Sequence, residues 1–246
     1  MRHNDKGMKR RILITNDDGI HADGIVRLAK AAVKFGDVWL VAPHDQRSAC
    51  SHSIILTEPL EIRPIRFEVE GVNAFSCSGM PADCVRIAGK TVMDAPPDVV
   101  LSGINYGYNA ATDIQYSATV GAAFEASFQG YQGVALSEEE GSGHEVTDAY
   151  LEQVLEEVIH EPHGPGMIWN VNFPGCPLSE CKGIWRDRKV SQKVVYDDRY
   201  EIVEELPQGA VRYRVHGYLK CEAEEGTDYH ALLCGAVSIG KIRNIC

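Results

Sequence analysis

The sequence has 246 residues, of which 44% are hydrophobic, and a formal net charge of -11 at pH 7. This length fits one large α/β domain or two small ones around a substantial core. No stable nucleic-acid complex is expected, because clustered Lys and Arg hold phosphate backbones and the longest basic run is Lys9–Arg11. A small anionic substrate would still need local positive charge. No segment is apolar enough for a membrane span or a signal-peptide core.

The cysteines and the N-terminus bear on the compartment. The eight cysteines form no C-x-x-C pair, and several lie in apolar segments, as Cys77, Cys84 and Cys234 do. This usage favours reduced thiols over a disulfide framework or a zinc site, so we expect a cytoplasmic protein. Residues 1–8 are interpreted as a flexible N-terminal extension.

The chain is organised around residues 12–24, ILITNDDGIHADG, where a short apolar run stops at Asn16 and Asp17, Asp18 and Gly19 follow. Residues 12–15 are typical of a buried parallel strand, and ligands bind at the carboxyl ends of such strands. Two adjacent carboxylates there cost free energy unless a cation or hydrogen-bond donors compensate. A hard divalent metal is one explanation. A turn that caps the first helix is the other.

Strand and helix patterns alternate through the first two thirds of the chain. Strands are predicted at 38–42, 98–101, 134–136 and 168–173, and helices at 23–35, 81–88, 120–128 and 146–159, with an antiparallel hairpin within 60–75. The alternation predicts an α/β fold, a Rossmann-like three-layer sandwich with a mostly parallel sheet. We place this core at residues 9–182. A β-rich C-terminal arm follows at 183–246, with a short helix at 229–233 and a return strand at 237–239.

Two polar stretches follow predicted strands at the same sheet edge as Asp17. The first, PHDQRSACSHS, carries Arg47, Ser48 and His52. His52 has either a role in protonating a leaving group or an ordinary hydrogen bond within the loop. Arg47 is a further weak candidate that would otherwise brace Asp45. Loops at this edge usually carry function.

The second polar stretch is SGINYGYNAATDIQYSATVGAAFEA. Its glycines allow tight turns that aim the amides of Asn105 and Asn109 at a ligand. Ser117 and Thr119 stand just before a predicted helix, whose free N–H groups favour an anion such as phosphate. The alternative is that Thr119 is an ordinary N-cap and the asparagines only form turns. The later acidic run at 138–140 is interpreted as a solvated loop face.

The chain resembles the SurE family of stationary-phase survival proteins, which are divalent-metal-dependent 5'(3')-nucleotidases and phosphatases. The resemblance runs from Arg11 to about Ile239 and rests on ILITNDDGI, VAPHDQRSACSHSI, SGMPADCVRIA, DVVLSGINYGYNAATDIQYSATVGAA, WNVNFP and TDYHALLCGAVSI. It implies one Mg²⁺ or Mn²⁺ per subunit, held by Asp17, Asp18, Ser48 and Asn105. It also implies phosphate- or substrate-binding positions at Asn16, Asn109, Ser117, Ala118 and Thr119.

The resemblance implies hydrolysis of nucleoside 5'- or 3'-monophosphates, and of short polyphosphate, by attack of a metal-activated water. Either Asp17 or Asp18 would receive the proton. It also implies a homodimer or homotetramer that exchanges C-terminal arms. Two features depart from the family: Ala118 replaces the usual glycine, and the ending SIGKIRNIC lacks the usual proline.

Three other classes of protein compete with this interpretation. A nicotinamide-dependent oxidoreductase requires G-x-G-x-x-G after the first strand, where this chain has N-D-D-G. A phosphoaspartyl phosphatase uses D-x-D spacing, whereas Asp17 and Asp18 are adjacent. A nucleotide-binding regulatory protein of the same fold, with little or no turnover, is the non-enzymatic alternative.

Overall fold

The computed structural model describes residues 9–141 and 143–244, so the extension predicted at 1–8 lies outside the described residues. Strands in the described residues are β1 (Arg10–Thr15), β2 (Gly36–Pro43), β3 (Ile62–Ile65), β4 (Val72–Cys77), β5 (Val99–Tyr106), β6 (Gln132–Glu138), β7 (Met167–Phe173), β8 (Ile184–Trp185), β9 (Tyr196–Glu205), β10 (Val211–Leu219) and β11 (Val237–Arg243). The helices are α1 (Asp23–Ala32), α2 (Pro81–Ile87), α3 (Ala118–Phe128), α4 (Glu145–His160) and α5 (Asp228–Leu233).

Nine of these strands form one sheet in the order β3-β4-β2-β1-β5-β6-β7-β11-β8. The six neighbours from β4 to β7 run parallel, whereas β3 pairs antiparallel with β4 and β11 antiparallel with β7. Every parallel strand therefore ends at the same edge of the sheet. This edge is where an open α/β sheet presents its loops to a ligand.

Helices cover both faces of the sheet. Ile12 and Ile14 of β1 point to one face and pack with α1 and α4, and Leu13 points to the other face and packs with α2 and α3. This alternation follows from the two-residue period of a strand, and burial on both faces explains the continuous apolar run. The predicted three-layer α/β sandwich is confirmed.

Strand β5 is longer than the predicted 98–101 and continues to Tyr106. Its pairing with β6 is interrupted after Ser102 and resumes at Asn105, which lies opposite Ser137. Gly103 lies in the interruption with φ of +143°, and a Cβ there would stand 2.3 Å from the carbonyl oxygen of Leu136. Only glycine fits this close approach. Asn105 is consequently held at the end of a strand and not in a free loop.

The predicted β-rich arm contains two different structures. Strands β8 and β11 join the main sheet, so the sheet continues past Phe173 into the C-terminal region. Strands β9 and β10 form a separate antiparallel hairpin. Its exposed apolar side chains are Tyr196, Tyr200, Ile202, Val203, Val211, Tyr213, Val215, Tyr218 and Leu219. The division of the chain at residue 182 stays a prediction.

Candidate active site

A cavity of about 450 Å³ opens at the carboxyl edge of the parallel strands. It is lined from three directions: by Asp17 and Asp18 after β1, by Ser48 in the loop after β2, and by Asn105 at the end of β5. The rest of its lining comprises Gln46, Ala49, Tyr106, Gly107, Tyr108, Asn109, Asp113, Tyr116, Ser117, Glu140 and Tyr196. The four side chains that the family resemblance assigns to a metal therefore share one cavity.

Asp17 is the most buried carboxylate in this cavity, with 3% of the residue exposed. The hydroxyl of Thr119 donates to its Oδ1 at 2.5 Å, and the N–H of Thr119 donates to the carboxylate as well. Asp17 thus sits at the N-terminus of α3, where the helix favours negative charge. Burial nevertheless raises the pKa of Asp17 to about 6, and the neighbouring charge of Asp18 adds to the effect.

Asp18 is half-buried and is held by two donors. The N–H of Tyr106 lies 3.2 Å from its Oδ2, and the side chain of Gln46 donates a further hydrogen bond. Burial raises the pKa of Asp18, and the charges of Glu138 and Glu140 raise it further. Both adjacent carboxylates are thus harder to ionise than an ordinary aspartate, which is the electrostatic condition that a bound cation relieves.

Ser48 and Asn105 line the same cavity as the carboxylates, and each carries a side-chain oxygen. Gln46 Nε2 donates to Ser48 Oγ at 3.0 Å. Asn105 Nδ2 donates to the carbonyl of Gly107 at 2.8 Å, which leaves its Oδ1 available at 3.4 Å from the Thr119 hydroxyl. Carboxylate, hydroxyl and amide oxygens suit Mg²⁺ or Mn²⁺. Across residues 9–141 and 143–244, no three or more His, Cys, Asp or Glu side chains converge as a metal-binding group.

The charged side chains that line this cavity are all acidic. Asp113 and Glu140 join Asp17 and Asp18 in its lining, and none of the described residues that line it is Lys or Arg. A phosphate ester that enters this cavity meets four carboxylates and no basic side chain. The donor set and the charge therefore both fit a divalent cation.

Ser117 and Asn109 line this cavity, as predicted for phosphate-binding residues. Ser117 is the N-cap of α3, and its Oγ accepts the N–H of Val120 at 3.1 Å. Asn109 Nδ2 donates to Ser137 Oγ at 2.7 Å. Both residues therefore lie in the cavity lining, and each has a polar side-chain atom already engaged within the protein.

The main chain at Asn109 is fixed by a small amide network. Asn172 Oδ1 accepts the N–H of Asn109 at 2.8 Å, and Asn170 Nδ2 donates to its carbonyl at 2.8 Å. All three asparagines are buried. This network explains the WNVNFP motif, because its two asparagines in β7 hold the main chain of the cavity-lining Asn109 in place.

Three of the predicted phosphate-binding residues do not line the cavity. The Thr119 hydroxyl is engaged by Asp17, so Thr119 orients a carboxylate and is not an N-cap. Asn16 is buried and its Nδ2 donates to the carbonyl of Gly19 at 2.8 Å, which orders the Asp-Asp-Gly turn. Ala118 is the first residue of α3 and is also buried. These three buried residues lie outside the cavity lining.

The two weaker candidates, Arg47 and His52, point away from this cavity. Arg47 lines a neighbouring cavity of about 400 Å³ together with His21 and His44. It reaches the site only through its main chain, whose N–H donates to the carbonyl of Asp17 at 2.6 Å. The predicted brace to Asp45 is not seen, since the Arg47 guanidinium is 3.4 Å from the carbonyl of Ser78.

His52 contacts helix α3. Its Nε2 lies 2.8 Å from Glu125 Oε2, and its ring stacks on Phe128 with centroids 5.5 Å apart. Burial raises the pKa of Glu125, but the hydrogen bonds of His52 and Gln129 outweigh it and the pKa is lowered. His52 therefore anchors the Ser48 loop to α3, and its Nε2 is engaged by this helix and not by a partner within the loop. A role in leaving-group protonation stays a prediction.

Several residues at the site gave no clear signal in the sequence. Gln46, which contacts both Asp18 and Ser48, is one polar residue among many in its loop. Tyr196 reaches the cavity from the hairpin, far along the chain. The interpretation of residues 138–140 as a solvated face is wrong for Glu138, which is 4% exposed at the end of β6 and accepts a hydrogen bond from Arg27. Its strand extends further than predicted, so its side chain turns inward.

Comparison with known proteins identifies the family of this chain. The family model described as "Survival protein SurE" matches residues 12–195. The chain belongs to the SurE family. A "5'-nucleotidase SurE" of Mesorhizobium japonicum is 37% identical over 243 residues, which cover 95% of this chain and 93% of the relative. A protein of the same name from Carboxydothermus hydrogenoformans is 38% identical, with 94% and 89% covered.

The structure of this chain is also similar to a solved structure of the family. The crystal structure of the SurE protein from Aquifex aeolicus superposes with a TM-score of 0.79 at 34% identity, covering 95% of this chain and 93% of that one. No helix among residues 9–141 and 143–244 combines the length and apolar character needed to cross a bilayer. The resemblance stated from the motifs is thus confirmed.

Proposed function

We propose that this SurE protein is a divalent-metal-dependent 5'-nucleotidase that hydrolyses nucleoside monophosphates. The observation that carries the proposal is the cavity itself: four oxygen-donor side chains from three loops, beside a helix N-terminus, without a basic side chain in the described lining. The names of the relatives support the same activity. Action on 3'-monophosphates and short polyphosphate, and a cytoplasmic location, stay predictions.

In this proposal Asp17, Asp18, Ser48 and Asn105 hold the metal, and their shared cavity and oxygen donors support that role. When bound, a divalent ion of this kind lowers the pKa of a coordinated water and neutralises phosphoryl charge. The protein's own contribution is positional. Thr119 fixes the Asp17 carboxylate, and Gln46 donates to both Asp18 and Ser48. We expect Asn109 and Ser117, which line the cavity, to contact the phosphoryl oxygens. We expect either Asp17 or Asp18 to take up the proton that the attacking water would release.

Chelation tests the proposal. Dialysis against chelator is expected to abolish release of inorganic phosphate from AMP and from p-nitrophenyl phosphate, and Mg²⁺ or Mn²⁺ is expected to restore it. Circular dichroism of the dialysed protein checks that the fold is intact, which separates loss of metal from loss of structure. Full activity in excess chelator would contradict the metal assignment. Nucleotide binding without turnover at any metal concentration would favour a regulatory protein of the same fold.

We further propose that the β9–β10 hairpin makes a homodimer or homotetramer by packing on another subunit. A two-stranded hairpin is marginally stable in water, and this one carries Tyr200, Ile202, Tyr213 and Val215 with more than half of each exposed. Tyr196 at its base lines the active-site cavity. Assembly through the hairpin would therefore also steady one wall of the site.

Shortening the hairpin tests this assembly without removing the core strand β11. Asp198 pairs with Gly217, so residues 199–216 can be replaced by an Asn-Gly turn that keeps Tyr196 and its partner Leu219. Light scattering is expected to show a dimer or tetramer for the full chain and a smaller assembly for the shortened one. A full-length monomer, or an unchanged mass after shortening, would contradict the model.

A further inference from the structure

A second cavity adjoins the proposed metal cavity and shares a wall with it. Asp18, Gln46 and Tyr106 line both. The second cavity has a volume of about 290 Å³ and is closed by Ile104, Glu138 and His144, among others. It is far larger than one water needs and continues away from the metal side chains. A group attached to a phosphate at the metal can therefore extend into it.

Glu138 is the unusual member of this second cavity. Its side chain is 5% exposed, and its Oε1 accepts from Arg27 Nη1 at 2.7 Å and lies 3.0 Å from His144 Nδ1. Its Oε2 is buried and has no hydrogen-bond partner among the described residues. A buried carboxylate oxygen without a donor is costly, and such groups in native proteins usually await a ligand or water.

We propose that this cavity receives the base of the nucleotide and that Glu138 Oε2 accepts a hydrogen bond from an exocyclic amino group. The inference rests on the proposed nucleotidase function and names the substrates that the site prefers. Adenine and cytosine carry an amino group at the position where hypoxanthine and uracil carry a carbonyl. The enzyme then favours AMP over IMP, and CMP over UMP.

The physical reason for this preference is that an ionised carboxylate has hydrogen-bond acceptors and no donor. An ionised carboxylate only accepts hydrogen bonds, so an amino group satisfies Oε2 and a carbonyl oxygen at the same place is repelled. The wall formed by Ile104 and Tyr106 gives the ring an apolar and aromatic surface. The Tyr106 hydroxyl accepts the N–H of Gly141 at 2.6 Å, which holds that ring in position. A charge-assisted hydrogen bond of this kind changes a preference by at least about tenfold.

The wild-type protein provides the first test. We expect kcat/KM for AMP to exceed that for IMP by at least about tenfold, with CMP and UMP showing the same order. Purine riboside 5'-monophosphate, which lacks the amino group and has no carbonyl, should fall between AMP and IMP. Equal values for AMP and IMP, or a preference for IMP, would overturn the inference.

The variant Glu138→Gln provides the second test, because Arg27 dictates how a glutamine lies. Arg27 also contacts Asp148 and Asp23, so it keeps carboxylate partners in the variant. Its Nη1 can only donate, and it therefore holds the glutamine oxygen and leaves the amide NH₂ where Oε2 stood. A donor now faces the base, and the AMP-to-IMP preference is expected to invert.

Glu140→Gln is the matched control. Glu140 also raises the pKa of Asp18 by its charge, but it lines the metal cavity and not the base cavity. This variant removes a similar charge and should leave the AMP-to-IMP ratio unchanged, whatever it does to the overall rate. An inverted AMP-to-IMP ratio in Glu140→Gln would assign the preference to long-range charge. An unaltered ratio in folded Glu138→Gln would refute the contact between Glu138 and the amino group of the base.

Two measurements separate this inference from the proposed function. Hydrolysis of ribose 5-phosphate with Mn²⁺ reports the phosphatase chemistry without a base. If this hydrolysis is not observed, the result counts against the proposed nucleotidase function and not against the base preference. Calorimetric binding of adenosine and inosine reports the base preference without turnover. Tighter adenosine binding that is lost in Glu138→Gln is the expected result. Equal affinity for the two nucleosides in the wild type would overturn the inference even if the enzyme is active.

Discussion

Replacing Asp17 by asparagine should stabilise the metal-free protein while abolishing its activity. Asp17 is buried beside Asp18, and burial raises its pKa from 3.8 to about 6. At neutral pH the carboxylate is therefore ionised at a cost to the fold. Asparagine has nearly the same shape and its Oδ1 can still accept the Thr119 hydroxyl, but it carries no charge.

The size of the effect follows from the pKa. Each pKa unit corresponds to about 1.4 kcal/mol, so a rise from 3.8 to about 6 corresponds to about 3 kcal/mol of destabilisation by the ionised group. For a chain of this length, that energy corresponds to an increase in Tm of about 6–12 °C. The unfolded state releases this proton at lower pH than the folded state does. The cost is therefore fully present above pH 6 and disappears as the pH falls toward 3.8.

Thermal unfolding in chelator measures this directly. Asp17→Asn should melt above the wild type at pH 8, and the difference should shrink as the pH is lowered from 6 to 4. Added Mn²⁺ should raise the Tm of the wild type and not that of the variant, since metal binding stabilises only the protein that binds it. Turnover of AMP should fall by at least about two orders of magnitude.

Asp98→Asn is a control for which the expected change in Tm has the opposite sign. Although burial opposes it, the hydrogen bonds and charge of Arg11 lower the pKa of Asp98. Loss of that carboxylate should lower the Tm at pH 8 and not raise it. If Asp17→Asn in chelator has the same Tm as the wild type, or a lower one, burial of the charge is not costly. The site would then need no cation to compensate its carboxylates.

Two further predictions concern the walls of the metal cavity. Asn105→Ala removes one proposed metal ligand and should reduce turnover by at least about two orders of magnitude with the fold intact by circular dichroism; a near-normal rate would place the metal elsewhere. Gly121→Ala should displace the Ser48 loop, because a Cβ there would stand 2.6 Å from the carbonyl oxygen of Ser51 and 2.9 Å from His52 Cα. It should weaken both Mn²⁺ binding and stability, by about 1–3 kcal/mol for the latter. Gly143→Ala, where a Cβ meets open space, is the matched control and should change neither.

The α/β fold could be predicted because its signals are local. Apolar runs such as residues 12–15 are buried on both faces, and the helical patterns fall between them. The polar residues that follow these strands must meet at one sheet edge. That rule predicts from the sequence alone that Asp17, Ser48 and Asn105 lie together. Strand ends were less certain, since the pairing of β5 beyond Ser102 depends on a glycine accommodated against β6.

The direction of each side chain within a loop could not be predicted. Arg47 and Ser48 are neighbours in the sequence, yet one lines the cavity with His21 and the other the cavity with Asp17. His52 turns toward Glu125 because helix α3 passes beneath the loop at Gly121. These orientations arise from packing between segments that are distant in the chain, and a pattern of residue types does not contain them.

The charge of the cavity lining bears on how this site could attract a phosphate. A small anionic substrate was expected to need local positive charge, and Arg47 was the basic residue of the Ser48 loop. The structure turns the Arg47 guanidinium into the neighbouring cavity. Among the described residues, the cavity that holds Asp17 is left with carboxylates and the N-terminus of α3. A helix N-terminus carries only about half a positive charge, and Asp17 already accepts an N–H there. We therefore propose that attraction for phosphate in this cavity comes from a cation bound by these carboxylates.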